Sequence, residues 1–151
     1  MEHGAAPVSV FFDTSVLVAA SVGQHPHYPQ AYATVTRTLE ARRKAYISIH
    51  SLAEIYAALT RLPVQPAIHP VEAVRIVVDN IVPHFEPVVL DLVDYRAALA
   101  AVASGGWRGA RIYDALLLRC AEKKDCQRIY TFNLVEFRLL APHLAKRILS
   151  P

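Results

Sequence analysis

The feature that most constrains the fold of this chain is the alternation of short apolar segments with longer helical ones. The apolar segments are rich in β-branched and aromatic residues, which is typical of buried strands. The predicted strands are Val8–Phe12, Ala45–Ile49, Glu86–Leu90, Arg128–Tyr130 and, as a final edge strand, Lys146–Leu149. Strands that alternate with helices form a parallel sheet covered on both faces. We therefore expect one domain over residues 1–151, a three-layer α/β/α fold around a central parallel sheet of four to five strands.

The segments between these strands carry helical patterns. The predicted helices span about Gln30–Lys44, His50–Leu62, Val71–Val82, Asp94–Ser104 and Ile112–Lys124, with a short one after Asn133. In the helix His50–Leu62, apolar residues spaced at i, i+3, i+4 and i+7 predict a buried stripe. That stripe consists of Leu52, Ile55, Tyr56 and Leu59. In the third, the same reasoning predicts a core face of Val71, Val74, Val78 and Ile81.

Composition limits the class of protein. The chain has 151 residues, of which 54% are hydrophobic and 19% charged, as expected for a globular protein. Each apolar run is shorter than a membrane span, and no basic region precedes the first one, so we expect neither a membrane segment nor a signal peptide. Cys120 and Cys126 match no metal or redox spacing, which fits a location in the cytoplasm. The net charge of +3 is compatible with a nucleic-acid partner.

Polar residues follow the predicted strands at the positions where sites of parallel α/β sheets lie. Asp13 ends the first strand, and Glu54 lies one turn into the helix after the second. Asp114 lies in the first turn or so of the helix that follows the loop Gly105–Gly109. Two further polar residues, Asn133 and Glu136, follow the fourth strand.

Each of these residues also has a purely structural interpretation. Asp13 has the residue type of a helix N-cap. Ser51 and Glu54 have the spacing of a capping box, and so do Asn133 and Glu136. Asp114 can complement a helix dipole.

The set as a whole favours a metal site. Asp114 interrupts an otherwise nearly apolar run, where an isolated carboxylate is costly to bury. Carboxylates gathered at one sheet edge raise one another's pKa, and a divalent cation removes that penalty. Oxygen ligands favour Mg²⁺ or Mn²⁺. On this hypothesis Asp13 is a ligand, and Thr14 or Ser15 caps the helix that begins directly after it.

Three stretches of the chain resemble the PIN domain family, and most of all its VapC-type ribonuclease toxins. They are VFFDTSVL, SLAEIYAALTRL and RIYDALLLRCAEKKDCQRIYTFNLVEF. The resemblance implies a metal-dependent endoribonuclease in which Asp13, Glu54 and Asp114 match the family's acids. Thr14 or Ser15 resembles the hydroxyl that steadies the family's site.

The chain departs from the family's pattern at the fourth acidic position. Asn133 stands where many members have aspartate, and Glu136 stands where others place a nearby acid. Asn133 can coordinate through its carbonyl oxygen but adds no charge, so the second metal position is the part of the pattern that changes.

The resemblance also implies a mechanism and partners. Water activated by Mg²⁺ or Mn²⁺ would cleave RNA to leave a 5′-phosphate and a 3′-hydroxyl. A cognate antitoxin protein would mask the site, and the toxin would be a homodimer. Candidate RNA contacts are Arg61, Arg108 and Arg111, with Trp107 either stacking on an unpaired base, plugging the core or contacting a second copy.

Other functions remain open on the sequence. A phospho-acceptor or phosphatase module would use Asp13 and Ser15, but the chain lacks the D-x-D motif that would support it. A degenerate PIN domain would bind RNA or protein without cleavage, and Asn133 keeps this alternative open. His25-x-His27 has the spacing to bind a metal, but in a loop with two prolines the pair is typical of a solvated turn.

Overall fold

The computed structural model of the protein describes residues 8–151. Its centre is a sheet of five parallel strands in the order β3-β2-β1-β4-β5. The strands are β1 Ser9–Phe12, β2 Lys44–Ser48, β3 Glu86–Val88, β4 Arg128–Tyr130 and β5 Ile148–Leu149. The predicted parallel sheet is therefore confirmed, with strand boundaries that shift by at most two residues. Residues 1–7 of the predicted domain lie outside the described residues.

The strands are apolar because helices cover both faces of the sheet. Phe11 of the central strand β1 pairs with Tyr46 on one side and with Ile129 on the other. Since side chains alternate along a strand, Val10 and Phe12 pack into one core and Phe11 packs into the other. These three side chains are fully buried, as is typical of parallel strands.

In residues 8–151, seven α-helices form the two outer layers. They are α1 Thr14–Ser21, α2 Tyr28–Glu40, α3 Ile49–Arg61, α4 Pro70–Arg75, α5 Leu92–Ser104, α6 Arg111–Lys123 and α7 Leu134–Leu140. A π-helical segment, Ile76–Ile81, continues α4, and a 3₁₀ segment, Pro142–Arg147, leads into β5. Helices α1 to α4 pack on one face, α6 and α7 pack on the other, and α5 packs against α6. This is the predicted three-layer α/β/α arrangement.

The predicted core face after α3 is wrong at three valines. Val71, Val74 and Val78 are exposed by 48–55%. The side chains of this segment that face the core are instead Ala73, Val77 and Ile81. These are spaced four residues apart, and they face the core on the side where α3 packs.

The stripe predicted on α3 is correct in its centre only. Ile55 and Leu59 are fully buried, Leu52 is partly buried, and Tyr56 is exposed. The buried row of α3 is therefore Ser51, Ile55 and Leu59, spaced four residues apart, and the inner face is turned away from Tyr56. None of the described helices is both long enough and apolar enough to cross a bilayer.

Candidate functional site

An open cleft of about 530 Å³ lies at the carboxyl ends of β1 and β4. Asp13, Glu54, Asp114 and Asn133 all line it, although they come from four separate parts of the chain. Parallel strands end at one edge of the sheet, so residues that follow β1 and β4 meet there with the first turns of α3 and α6. The structure thus brings together four of the residues that the sequence singled out.

Asp13 is the most deeply buried acid of the cleft, with 4% of its surface exposed. Its backbone N–H donates to Tyr130 of β4 at 3.0 Å, which fixes the residue at the junction between β1 and α1. Its Oδ2 accepts hydrogen bonds from Ser15 Oγ and Thr131 Oγ1, both at 2.8 Å. Two hydroxyls from different elements therefore hold the carboxylate in one orientation.

The prediction that Thr14 or Ser15 caps α1 is wrong. Both belong to the helix already, and a capping side chain must come from the residue before it. That residue is Asp13, but within the described chain its carboxylate makes no capping bond to α1. Ser15 instead donates to Asp13, and Thr14 shares a hydrogen bond of 2.8 Å with Ser51.

Glu54 is half-buried and faces the cleft from α3. The capping-box interpretation of this residue is wrong, because the N-cap of α3 is Ser48, whose hydroxyl accepts from the backbone N–H of His50. Ser51 lies inside the helix and bonds to Thr14. The His50 ring lies beside Glu54, with 3.9 Å between Nε2 and Oε1.

Asp114 enters the cleft from the first turn of α6. Arg111, three residues earlier, donates from Nη1 to Asp114 Oδ2 at 3.2 Å. Asn133 also lines the cleft and occupies the N-cap position of α7, but in the described residues its side chain does not cap that helix. Glu136 does not line the cleft, yet its charge lies close enough to raise the pKa of Asp114.

The three acids share one electrostatic property. Burial raises the pKa of Asp13, and the Asp114 charge raises it further, against the opposing effect of the Thr131 and Ser15 hydroxyls. Burial also raises the pKa of Glu54, with added repulsion from Asp13 and Asp114 and an opposing effect of His50. The pKa of Asp114 is raised by burial and by Glu136, although Arg111 opposes the shift.

This electrostatic arrangement suits a cation. Raised pKa values mean that negative charge in the cleft lacks sufficient compensation, which a divalent cation supplies. The donor set consists of carboxylate and amide oxygens, the ligands that Mg²⁺ and Mn²⁺ prefer. No three acidic, histidine or cysteine side chains of residues 8–151 are already grouped as a compact metal cage. An ion such as Mg²⁺ does not require one, because it is commonly held by one or two carboxylates together with water and substrate phosphate.

The predicted RNA contacts divide into two groups. Arg61 lines the cleft, and Arg111 is bound to Asp114 at its edge. Within the part of the chain that the structure describes, Trp107 and Arg108 do not line it. The Trp107 indole lies so close to Gly105 that a Cβ on that glycine would be 2.6 Å from the ring. The three interpretations of Trp107, as a base-stacking ring, a core plug or a contact with a second copy, stay predictions.

Four residues of the cleft or its support were not predicted. Thr131 and Ser51 hold Asp13 and Thr14 through their hydroxyls, and both are fully buried. The sequence signal that could have identified Thr131 is a hydroxyl residue directly after the strand Arg128–Tyr130, at the same sheet edge as Asp13. His25 and His27, interpreted from the sequence as part of a solvated turn, line the same cleft as the acids.

Comparisons with known proteins agree with this fold. The sequence model of the PIN domain matches residues 10–141, which is most of the chain. The structure is similar to that of the VapC20 toxin of Mycobacterium tuberculosis, described as cleaving the sarcin-ricin loop, with a TM-score of 0.63 and 20% sequence identity. That likeness covers 84% of this chain and 92% of the toxin. The comparison with curated proteins finds no match. On the match to the family model, the chain belongs to the PIN domain family.

Proposed function

We propose that this chain is a divalent-metal-dependent endoribonuclease and the toxin of a toxin–antitoxin pair. The observation that carries the proposal is the meeting of Asp13, Glu54 and Asp114 in one open cleft, each with a raised pKa. A purely structural role does not account for three acids at one sheet edge whose pKa values stay raised although Arg111 and two hydroxyls act against the shift. Membership of the PIN family and the fold shared with a ribonuclease toxin support the same conclusion.

The residues of the cleft have distinct roles in this proposal. Asp13, Glu54, Asp114 and Asn133 would hold Mg²⁺ or Mn²⁺, with Glu136 close to the second of two possible positions. When bound, such an ion lowers the pKa of water and polarises the phosphate that is attacked. Ser15 and Thr131 keep the Asp13 carboxylate oriented toward that task.

The remaining polar residues would act on the RNA or on the acids. Arg61, in the wall of the cleft, is placed to bind a phosphate of the strand. Arg111 compensates part of the Asp114 charge before an ion is bound. Trp107 and Arg108 lie in the loop between α5 and α6 and are candidates for RNA contacts outside the cleft. Cleavage by activated water would leave a 5′-phosphate and a 3′-hydroxyl.

We infer the partners from the same assignment. RNA is the substrate, a cognate antitoxin protein masks the cleft in the resting cell, and the active toxin is a homodimer in the cytoplasm. Exposed apolar side chains on and before α5 support a protein interface there. Those exposed by 64–70% are Val89, Leu92 and Val93.

The test is a cleavage assay with purified protein and structured RNAs. We expect cleavage with Mg²⁺ or Mn²⁺, none with chelator, and none by Asp114→Asn. Asp79→Asn, which removes an exposed acid outside the cleft, should cleave like the wild type. RNA binding without cleavage, unchanged in Asp114→Asn, would instead favour the non-catalytic PIN module and contradict the nuclease.

A further inference from the structure

Two histidines line the acidic cleft and have no role in the cleavage proposed above. His25 and His27 lie in the loop between α1 and α2. They add two imidazole rings to a cleft whose lining holds three carboxylates, Arg61 and the uncharged polar side chains Thr14, Ser15, Tyr113 and Asn133. An anionic RNA strand that enters such a cleft needs donors of this kind beside the acids.

His27 is held firmly although it is exposed. Its ring stacks on Phe132, with 4.7 Å between the ring centres and 24° between the planes. Phe132 packs against the hydrophobic core on the α1 side of the sheet and directly precedes Asn133. The stack therefore fixes an exposed aromatic ring beside a residue of the acidic cleft.

His25 is held in one hydrogen-bonding state. Its Nδ1 accepts the backbone N–H of His27 at 3.1 Å, so the ring proton of the neutral form lies on Nε2. Burial lowers the pKa of His25, and the neighbouring His27 lowers it further, so the neutral form is favoured. The Nε2–H group is then a hydrogen-bond donor of fixed position.

The loop itself is anchored to its surroundings. Gln24 donates from Nε2 to the carbonyl of Gln65 at 3.0 Å, which ties the loop to the segment after α3. Pro26 restricts the backbone between the two histidines. Both rings are thus presented by a loop that has little conformational freedom to lose when a ligand binds.

We propose that His25 and His27 form a binding subsite for one unpaired nucleotide of the RNA, adjacent to the phosphodiester held in the acidic cleft. His27 offers the ring on which a splayed base stacks, and His25 donates its Nε2–H to a phosphate or sugar oxygen of the same nucleotide. The ligand is single-stranded because a base inside a duplex cannot reach such a ring. This inference rests on the proposed function for the identity of the ligand.

The test measures RNA binding separately from cleavage. A short fluorescein-labelled single-stranded RNA is titrated with Asp114→Asn protein, the non-cleaving parent into which each further substitution is introduced, and its fluorescence anisotropy is followed. We expect His27→Ala to weaken binding about tenfold, the order of magnitude that loss of one base stack produces. His27→Phe retains an aromatic ring and should restore most of the affinity, and His25→Ala should weaken binding as well.

Controls separate this subsite from a loss of structure. His84→Ala removes an exposed imidazole outside the cleft and should bind like the parent. When the same RNA is annealed to its complement, His27→Ala and the parent should bind it with similar affinity. Thermal unfolding of every variant identifies any that are misfolded, and His27→Phe keeps the test valid if His27→Ala is one of them.

The outcomes are distinct. Equal affinity of the parent, His27→Ala and His25→Ala for single-stranded RNA overturns the subsite, as does an equal loss in His84→Ala. If wild-type protein still cleaves RNA in that case, the proposed function stands without the subsite. If the parent binds no RNA and the wild type cleaves none, both proposals fail. In the cleavage assay, the subsite predicts that His27→Ala raises KM by a larger factor than it lowers kcat.

Discussion

Replacing Thr131 with valine tests whether the hydroxyls around Asp13 hold a charged carboxylate. Thr131 is fully buried, and its Oγ1 donates to Asp13 Oδ2 at 2.8 Å. The same oxygen accepts the backbone N–H of Asn133 at 2.9 Å. Valine has nearly the same shape, so the change removes the hydroxyl without opening a cavity. The expected loss is therefore that of the hydrogen bonds alone.

The size of the effect follows from the charge of the acceptor. A hydrogen bond to a charged group contributes about 1.5–3 kcal/mol, and one between neutral groups about 1 kcal/mol. Asn133 is exposed, so its N–H can bond to water when the hydroxyl is absent. We therefore expect Thr131→Val to lower the free energy of unfolding by about 1.5–3 kcal/mol where Asp13 is ionised. For a chain of this size, the midpoint of thermal unfolding should fall by about 3–12 °C.

The effect should depend on pH in a defined direction. Burial raises the folded-state pKa of Asp13, and the Thr131 hydroxyl opposes that shift. Ionising Asp13 therefore costs stability as the pH rises through its folded pKa, and it costs more without the hydroxyl. The difference between Thr131→Val and wild type should be largest above that pKa and should shrink toward the value of a neutral hydrogen bond as the pH falls below it.

The assay is urea unfolding across a pH series, with Thr131→Ser as the matched control. Serine keeps the hydroxyl and removes one methyl group, so it should show little of the pH-dependent part of the loss. A Thr131→Val curve parallel to the Thr131→Ser curve at every pH would refute the idea that the hydroxyl supports a charged carboxylate.

Three further predictions concern other parts of the molecule. Asp114→Asn should abolish metal-dependent cleavage, yet near neutral pH it should unfold at the wild-type temperature or above it, because ionisation of a carboxyl with a raised pKa costs stability. A large drop in the unfolding temperature, measured by calorimetry, would contradict this. Phe137→Ala should cost about 3–5 kcal/mol in urea unfolding, since the ring is fully buried, whereas Val135→Ala, at an exposed position, should stay within about 0.5 kcal/mol. Hydrogen bonds from Lys123 and Arg119 hold the pKa of Asp94 far below its usual value. Asp94→Asn should therefore lower the free energy of unfolding at neutral pH, and urea unfolding should show this loss disappearing as the pH falls through the ordinary aspartate range toward the lowered pKa.

The order of elements and the position of the acids follow from the sequence because each depends on local patterns. Strand β1 is recognisable from its apolar residues, and the acid that ends it must lie at the sheet edge. The assignment of Glu54 to the cleft follows from its place off the buried stripe of α3. These inferences need no knowledge of which strands are neighbours.

The support of the site depends on contacts that local patterns do not contain. Thr131 and Asp13 are 118 residues apart and meet because β4 lies beside β1, an adjacency that strand patterns leave open. His27 reaches the cleft through a stack on Phe132, which no spacing rule predicts. The exposed face of Val74 and its neighbours was mispredicted because apolar spacing alone does not distinguish which of two apolar rows faces the core.

The most direct test of the account is a titration of the protein with Mn²⁺, in which the electron paramagnetic resonance signal of free Mn²⁺ is measured. If the acids of the cleft bind a divalent cation, the wild type should remove Mn²⁺ from solution in a saturable manner, Asp114→Asn should do so weakly or not at all, and Asp79→Asn should behave like the wild type. Saturable binding that is equal in all three proteins, or no binding by the wild type, would contradict the assignment of this cleft as the metal centre of a nuclease.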